Sequence, residues 1–196
     1  PAFSRLGYGA WRLANGEDTS AQTALKKIKL CLELGITTFD HADIYGNYRC
    51  EALFGEALLL DPGLKRQIQI VTKCGIKLVS KQRPRHSIKS YDTSRAHVMA
   101  SVDASLRAMH TDHIDLLLVH RPDALMDPDE LANTFEDLRA AGKVQHFGVS
   151  NHTPSQLGPT TAMPVSWATR ASSAAWAWPS GVSSKPELST TTAPMP

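Results

Sequence analysis

The 196-residue sequence lacks the features that mark membrane and nucleic-acid-binding proteins. It contains no run of roughly 18 apolar residues, so we expect no membrane span. The formal net charge is only +2, which gives no reason to expect nucleic acid or an anionic membrane surface as a partner. With 42% hydrophobic and 20% charged residues, the composition is that of an ordinary soluble globular protein.

Cysteine is also scarce. Cys31, Cys50 and Cys74 are odd in number, and none of them belongs to a CxxC pair. This usage predicts neither a disulfide framework nor a cysteine zinc site. It favours reduced thiols in a cytoplasmic protein.

What the sequence does contain is an alternation of strand-like and helix-like segments. Short runs rich in β-branched and apolar residues predict five strands, at 5–13, 36–40, 68–73, 113–119 and 144–149. Apolar residues at helical spacing, bounded by capping residues and glycines, predict helices between 18 and 34, 50 and 60, 94 and 109, and 127 and 142. The polar, basic stretch 77–92 is predicted to be a long exposed loop.

Strands separated by helices in this rhythm indicate an α/β protein built from parallel βα units. Five consecutive units fit either a doubly wound open sheet or the first part of a (β/α)₈ barrel. The pattern alone does not choose between them.

The composition changes after about residue 157. Residues 158–196 are dominated by Ala, Ser, Thr and Pro without a helical or strand period, which predicts a disordered or poorly packed tail. A flexible tail seldom combines so few charges with Trp167, Trp176 and Trp178. Our hypothesis is therefore a reading-frame shift or a foreign junction. The chain is predicted to divide into residues 1–157, an incomplete α/β unit, and this tail.

Polar side chains stand where the predicted strands stop. Asp40, Lys73 and His120 close three of the strands, and Tyr45 follows Asp40 in the next loop. In parallel α/β folds these points open on one face, where ligands bind. A free tyrosine has a pKa of about 10, and a nearby ammonium favours its ionised form. With a carboxylate to hold the lysine and an imidazole to orient a carbonyl oxygen, the set predicts proton delivery to a carbonyl.

That reaction also needs a hydride, which no side chain supplies, so a nicotinamide cofactor is the expected source. A metal site is the alternative reading of Asp40, His41 and Asp43. Neighbouring residues at a strand end point in different directions, and neither a His or Cys cluster nor an HxH pair accompanies these three. We therefore expect no metal.

Four stretches resemble the aldo-keto reductases, in order and with sensible separations: GITTFDHADIYGN, IVTKCG, HIDLLLVHRPD and KVQHFGVSN. The resemblance covers roughly residues 3–157, and a bacterial subgroup of oxidoreductases shares the DHADIYG stretch. It implies a (β/α)₈ TIM barrel, of which about five βα units are recognisable here. It also implies NADPH bound without a GxGxxG fingerprint, which this sequence lacks.

The resemblance assigns roles by position. Tyr45 is expected to be the general acid that protonates a small aldehyde or ketone, with Lys73 as its charged partner. Asp40 is expected to pair with Lys73, and His120 to orient the carbonyl. The expected cofactor-binding residues are Gly9, Ala10, Trp11, Asp40, Ser150 and Asn151.

The family continues through three further strands after the GVSN stretch, and these are not recognisable here. We therefore expect a reductase barrel that is truncated or frame-shifted after about residue 157. The main functional expectation is an NADPH-dependent carbonyl reductase. The alternative is an inactive remnant or a cofactor-binding regulatory subunit, as the potassium-channel β-subunits are within this superfamily.

Overall fold

The structure is a computed structural model that describes residues 2–153, 156 and 168–170. The predicted tail, 158–196, therefore lies outside the described residues except for 168–170. Within the described part of the chain, no helix has the length and apolar character needed to cross a bilayer.

Parallel strands form the main sheet, and helices connect the successive strands from the first to the fifth. The strands of this sheet are β1 (Gly7–Gly9), β2 (Thr38–Asp40), β3 (Gln69–Cys74), β6 (Ile114–Val119), β7 (Val144–Ser150) and β8 (Ala168–Arg170). They lie side by side in the order β1-β2-β3-β6-β7-β8, and every neighbouring pair is parallel. The helices are α1 (Ala21–Glu33), α2 (Cys50–Leu60), α3 (Arg95–Ala108) and α4 (Pro128–Ala140). The predicted βα rhythm is thus confirmed.

Local signals in the sequence explain where the helices begin. Ser20 caps α1 by accepting a hydrogen bond from the backbone N–H of Thr23 at 3.2 Å. Asp127 caps α4 by accepting from the N–H groups of Asp129 and Glu130, and Pro128 occupies the first helical position. The first backbone N–H groups of a helix have no acceptor within the helix, and these capping side chains supply one. The sequence therefore predicts where both helices begin.

The helices pack on one face of the sheet and form the larger core. Phe135 of α4 stacks on Phe147 of β7 with ring centroids 4.2 Å apart, and Phe39 of β2 lies 5.3 Å from Phe54 of α2. On the other face a smaller cluster contains Val71, Leu116 and Leu118, with Phe3 packed against it. The central strands are therefore buried on both sides, which explains the almost continuous apolar sequence of β6.

Three elements differ from the sequence-based expectations. The first strand is only Gly7–Gly9, because the chain turns at once into a 3₁₀ helix, Ala10–Asn15. The loop 77–92 is anchored at both ends by a short antiparallel pair, β4 (Ile76–Lys77) with β5 (Ser90–Tyr91). The strand β8 was not expected, and a three-residue strand is too short to show a period.

Candidate active site

The predicted polar residues meet at the carboxyl end of the sheet. The ammonium of Lys73 donates hydrogen bonds to Asp40 Oδ1 at 2.6 Å, to the backbone oxygen of His41 at 2.7 Å and to Tyr45 Oη at 3.2 Å. These bonds use all three N–H donors of the lysine. Lys73 is only 1% exposed, so its charge acts in a site largely shielded from water.

The sheet register creates this arrangement. In the parallel pairing of β2 with β3, Asp40 lies opposite Val71. Asp40 is the last residue of β2 and Lys73 the last but one of β3, so both lie at the carboxyl ends of neighbouring strands. The N–H of His41 then continues the ladder to the oxygen of Val71 at 2.8 Å, and a turn from Ala42 brings Tyr45 back towards the lysine. A slip of one residue would turn Lys73 to the opposite face of the sheet.

His120 completes the group from the end of β6. Its backbone N–H donates to the oxygen of Cys74 at 2.9 Å, and its ring meets the edge of the Tyr45 ring at a centroid distance of 6.0 Å. The side-chain amide of Asn151 donates to the oxygen of His120 at 3.2 Å and to Ser150 Oγ at 2.7 Å. Asn151 therefore ties the end of β7 to the end of β6.

A cleft of about 1090 Å³ opens above these residues. Tyr45 and His120 line it together with four of the six expected cofactor-binding residues, Gly9, Trp11, Asp40 and Asn151. Trp11 is 61% exposed, and its ring lies 6.4 Å from that of Tyr45.

Two other expected cofactor-binding residues do not line the cleft. Ala10 is fully buried, and Ser150 is 1% exposed with its hydroxyl turned to Asn151. Lys73 lies beneath the lining, where it contacts Tyr45 and Asp40.

Part of the cleft lining was not predicted from the sequence. Arg12, Arg49, Lys89 and Arg121 also line it, as do apolar residues of the loop 77–92. Lys89 belongs to the basic run in residues 77–92, and such a run is more often a solvated loop than an anion-binding site. Two signals were available, because Arg12 directly follows Trp11 and Arg121 directly follows His120 in the sequence.

The side chains of Asp40, His41 and Asp43, the alternative set of metal ligands, lie in different surroundings in the structure. Asp40 faces the cleft, whereas the His41 ring is buried 4.4 Å from the ring of Phe54. Asp43 lines a separate cavity beside Glu51, and burial raises the pKa of both carboxyl groups. Among the described residues, no group of His, Cys, Asp or Glu side chains is arranged to hold a metal ion.

His41 should make folding sensitive to acid. Burial first, and then the charge of Lys73, lower the pKa of His41 from 6.5 to about 3. Between these pH values the unfolded chain takes up a proton that the folded chain excludes, so acid favours unfolding. We expect this residue to lower the free energy of unfolding by about 1.4 kcal/mol for each unit of falling pH.

The measurement is urea unfolding of the wild type and His41→Thr at pH 7, 6 and 5. Asp43 and Glu51 titrate in both proteins, so the difference in slope isolates His41. Parallel slopes for the two proteins would contradict the prediction.

Comparison with known proteins shows the family. Residues 5–167 match the sequence profile of the Aldo/keto reductase family. The chain belongs to this family. The uncharacterized oxidoreductase YcsN of Bacillus subtilis is 54% identical over 76% of this chain and 49% of its own length. The 6-dehydroglucose reductase of Agrobacterium fabrum is 50% identical over 78% of this chain and 51% of its own length.

Solved aldo-keto reductase structures share the fold. The holo form of the aldo-keto reductase AKR11C1 from Bacillus halodurans superposes with a TM-score of 0.72 at 27% identity, covering 86% of this chain and 54% of that one. The glycerol dehydrogenase AKR11B4 of Gluconobacter oxydans gives a TM-score of 0.71 at 26% identity, covering 85% and 51%. The prediction that the chain forms part of a (β/α)₈ TIM barrel of the aldo-keto reductase type is thereby confirmed. The chain spans about half the length of the curated relatives it matches.

Proposed function

We propose that this aldo/keto reductase reduces an aldehyde or ketone to an alcohol with NADPH, and that Tyr45 donates the proton. The observation that carries the proposal is the buried Lys73 ammonium, which bridges Asp40 Oδ1 at 2.6 Å and Tyr45 Oη at 3.2 Å beneath an open cleft. Such a bridge favours the tyrosinate that remains after the proton has been donated.

Each residue has a distinct part in this proton transfer. Because Tyr45 Oη accepts a hydrogen bond from Lys73, its own proton remains available to a carbonyl oxygen in the cleft. Asp40 holds the ammonium in place beneath the tyrosine. The imidazole of His120, edge-on to the Tyr45 ring, lies where it can orient the same carbonyl oxygen.

The residues that line the cleft fit the nicotinamide end of the cofactor. Asn151 presents an amide side chain to the cleft, and a Cβ at Gly9 would meet no other atom within 4 Å, so a flat ring has room to approach the backbone there. When bound, the cofactor supplies the hydride. The preference for NADPH over NADH rests on the family resemblance.

The names of the relatives support a redox reaction. One relative is called a 6-dehydroglucose reductase and one structural neighbour a glycerol dehydrogenase. We extend to this chain the oxidoreductase activity that these names state, without their substrates.

The test is a titration of the purified chain with NADPH and, separately, NADH, followed through the fluorescence of the reduced nicotinamide. We expect saturable binding with preference for NADPH, and oxidation of the cofactor when an aldehyde is added. Saturable binding without turnover of any carbonyl in a broad screen would instead indicate a cofactor-binding subunit. No binding by a folded sample would overturn the proposal.

A further inference from the structure

The charge of the cleft is strongly one-sided. Four cationic side chains line it, from the loops that follow four different strands: Arg12, Arg49, Lys89 and Arg121. Among the described lining residues the single carboxylate is that of Asp40, and Lys73 already neutralises it. The cleft therefore carries an excess of positive charge, although the whole chain has a net charge of only +2.

Some basic residues elsewhere on the described surface have a carboxylate partner. Lys29 pairs with Asp61, Lys77 with Asp92, Arg95 with Asp137 and Lys143 with Asp103. In the described part of the chain, no carboxylate lies at ion-pair distance from any of the four cleft cations. Charges of one sign that line a concave site attract a ligand of the opposite sign.

Two of these cations lie on the side away from the predicted cofactor amide site. Arg49 follows β2 and Lys89 precedes β5, so both belong to the loops after the strands that carry Asp40 and Lys73. Asn151 lies two strands further on, at the end of β7. Arg49 is fixed in place, because its guanidinium donates to the oxygens of Gly46 at 3.1 Å and Ala14 at 3.3 Å. A cation held in this way loses little side-chain entropy on binding.

We propose that the carbonyl substrate carries an anionic oxygen group, the chemistry shared by carboxylates and phosphates, which contacts Arg49 and Lys89 while the carbonyl lies at Tyr45. The inference rests on the proposed function and specifies its substrate class. It assigns the loop 77–92 a role in substrate selection.

The experiment compares aldehydes that differ only in charge. With the full chain and NADPH, kcat/KM is measured for 4-formylbenzoate and 4-formylphenyl phosphate, each against the neutral 4-formylbenzamide. We expect the anionic aldehydes to be preferred by roughly tenfold at low ionic strength. The preference should shrink in 0.5 M salt, which screens exposed charges. The two anionic aldehydes distinguish a carboxylate site from a phosphate site.

Lys89→Gln should lower kcat/KM for the anionic aldehydes by roughly fivefold relative to kcat/KM for the neutral amide. Lys81→Gln is the matched control, because Lys81 is an exposed lysine of the same loop outside the cleft lining. Equal kcat/KM for charged and neutral aldehydes in the wild type would overturn the inference. So would a Lys89→Gln variant in which only the KM for NADPH rises, since the cation would then serve the cofactor phosphates.

Failure of the proposed function is distinguishable from failure of this inference. If no aldehyde is reduced, calorimetry with 4-(hydroxymethyl)benzoate and 4-(hydroxymethyl)benzamide tests the anion site without turnover. Selective binding of the carboxylate, lost in Lys89→Gln and kept in Lys81→Gln, supports the inference. Equal affinity for the two alcohols, or no binding of either, overturns it.

Discussion

Tyr45→Phe is expected to lower kcat for carbonyl reduction by roughly 10²–10⁴-fold, the range typical for loss of a general acid. The change removes the only atom of Tyr45 that can give a proton to the carbonyl and keeps the ring. The ring contacts of Tyr45 with Trp11 and His120 survive, with centroid distances near those of the wild type, 6.4 and 6.0 Å. We therefore expect the NADPH affinity to stay within about twofold of the wild-type value. The lost hydroxyl acts in the transition state and does not contribute to binding of the cofactor.

Stopped-flow measurement of NADPH oxidation gives kcat, and the fluorescence titration gives the affinity. Tyr8→Phe is the matched control, since it removes a tyrosine hydroxyl from β1 while its ring stays packed near Phe39 and outside the cleft lining. Tyr8→Phe should turn over like the wild type. Wild-type turnover by Tyr45→Phe would remove Tyr45 from the mechanism.

Most of the fold could be predicted from the sequence, because its signals are local. The helix predicted between 50 and 60 is observed as Cys50–Leu60, and Asp127 caps α4 as its sequence position predicts. These features depend on residues a few positions apart. The apolar sequence of β6 likewise predicts that the strand is buried on both faces, whichever elements pack against it.

Other features depend on contacts between distant segments and carry no local signal. The pairing of Ile76 with Tyr91 joins residues on either side of a long polar loop, so no short sequence pattern predicts it. Similarly, the hydroxyl of Tyr48 accepts from the N–H of Leu78 at 2.9 Å and holds the start of this loop against the segment before α2. At the other end of the loop, Ser90 pairs with Lys77, and the adjacent Lys89 lines the cleft, where a solvated position was the simpler expectation.

The candidate site was predictable to a similar extent. Strand ends identified Asp40, Lys73 and His120, because a parallel sheet brings all carboxyl ends to one edge. Strand position does not say which neighbours face the cleft, however. Ala10 and Ser150 are next to cleft-lining residues in sequence and are nevertheless buried, since successive residues point to different sides.

Lys73→Met should be among the most destabilising single substitutions in the site. It removes the ammonium that neutralises Asp40, a residue only 4% exposed, and deprives the oxygen of His41 of its donor. Breaking a buried ion pair from one side typically lowers the free energy of unfolding by about 3–5 kcal/mol, because a charge is left in a poorly solvated place. Urea unfolding at pH 7 measures the loss directly.

Two further variants separate the charge effect from packing. Lys29→Met breaks an ion pair with Asp61 that has a similar length, 2.9 Å, but partners that are about half exposed. Because water solvates the remaining carboxylate, the free energy of unfolding should fall only slightly. The double variant Asp40→Asn/Lys73→Met removes both charges and should recover a substantial part of the lost stability, because no carboxylate then lacks its lysine. Carbonyl reduction should remain lost in the double variant, because Tyr45 still lacks its cation. If Lys73→Met and Lys29→Met unfold at the same urea concentration, the buried pair is not what holds β2 and β3 together at the site.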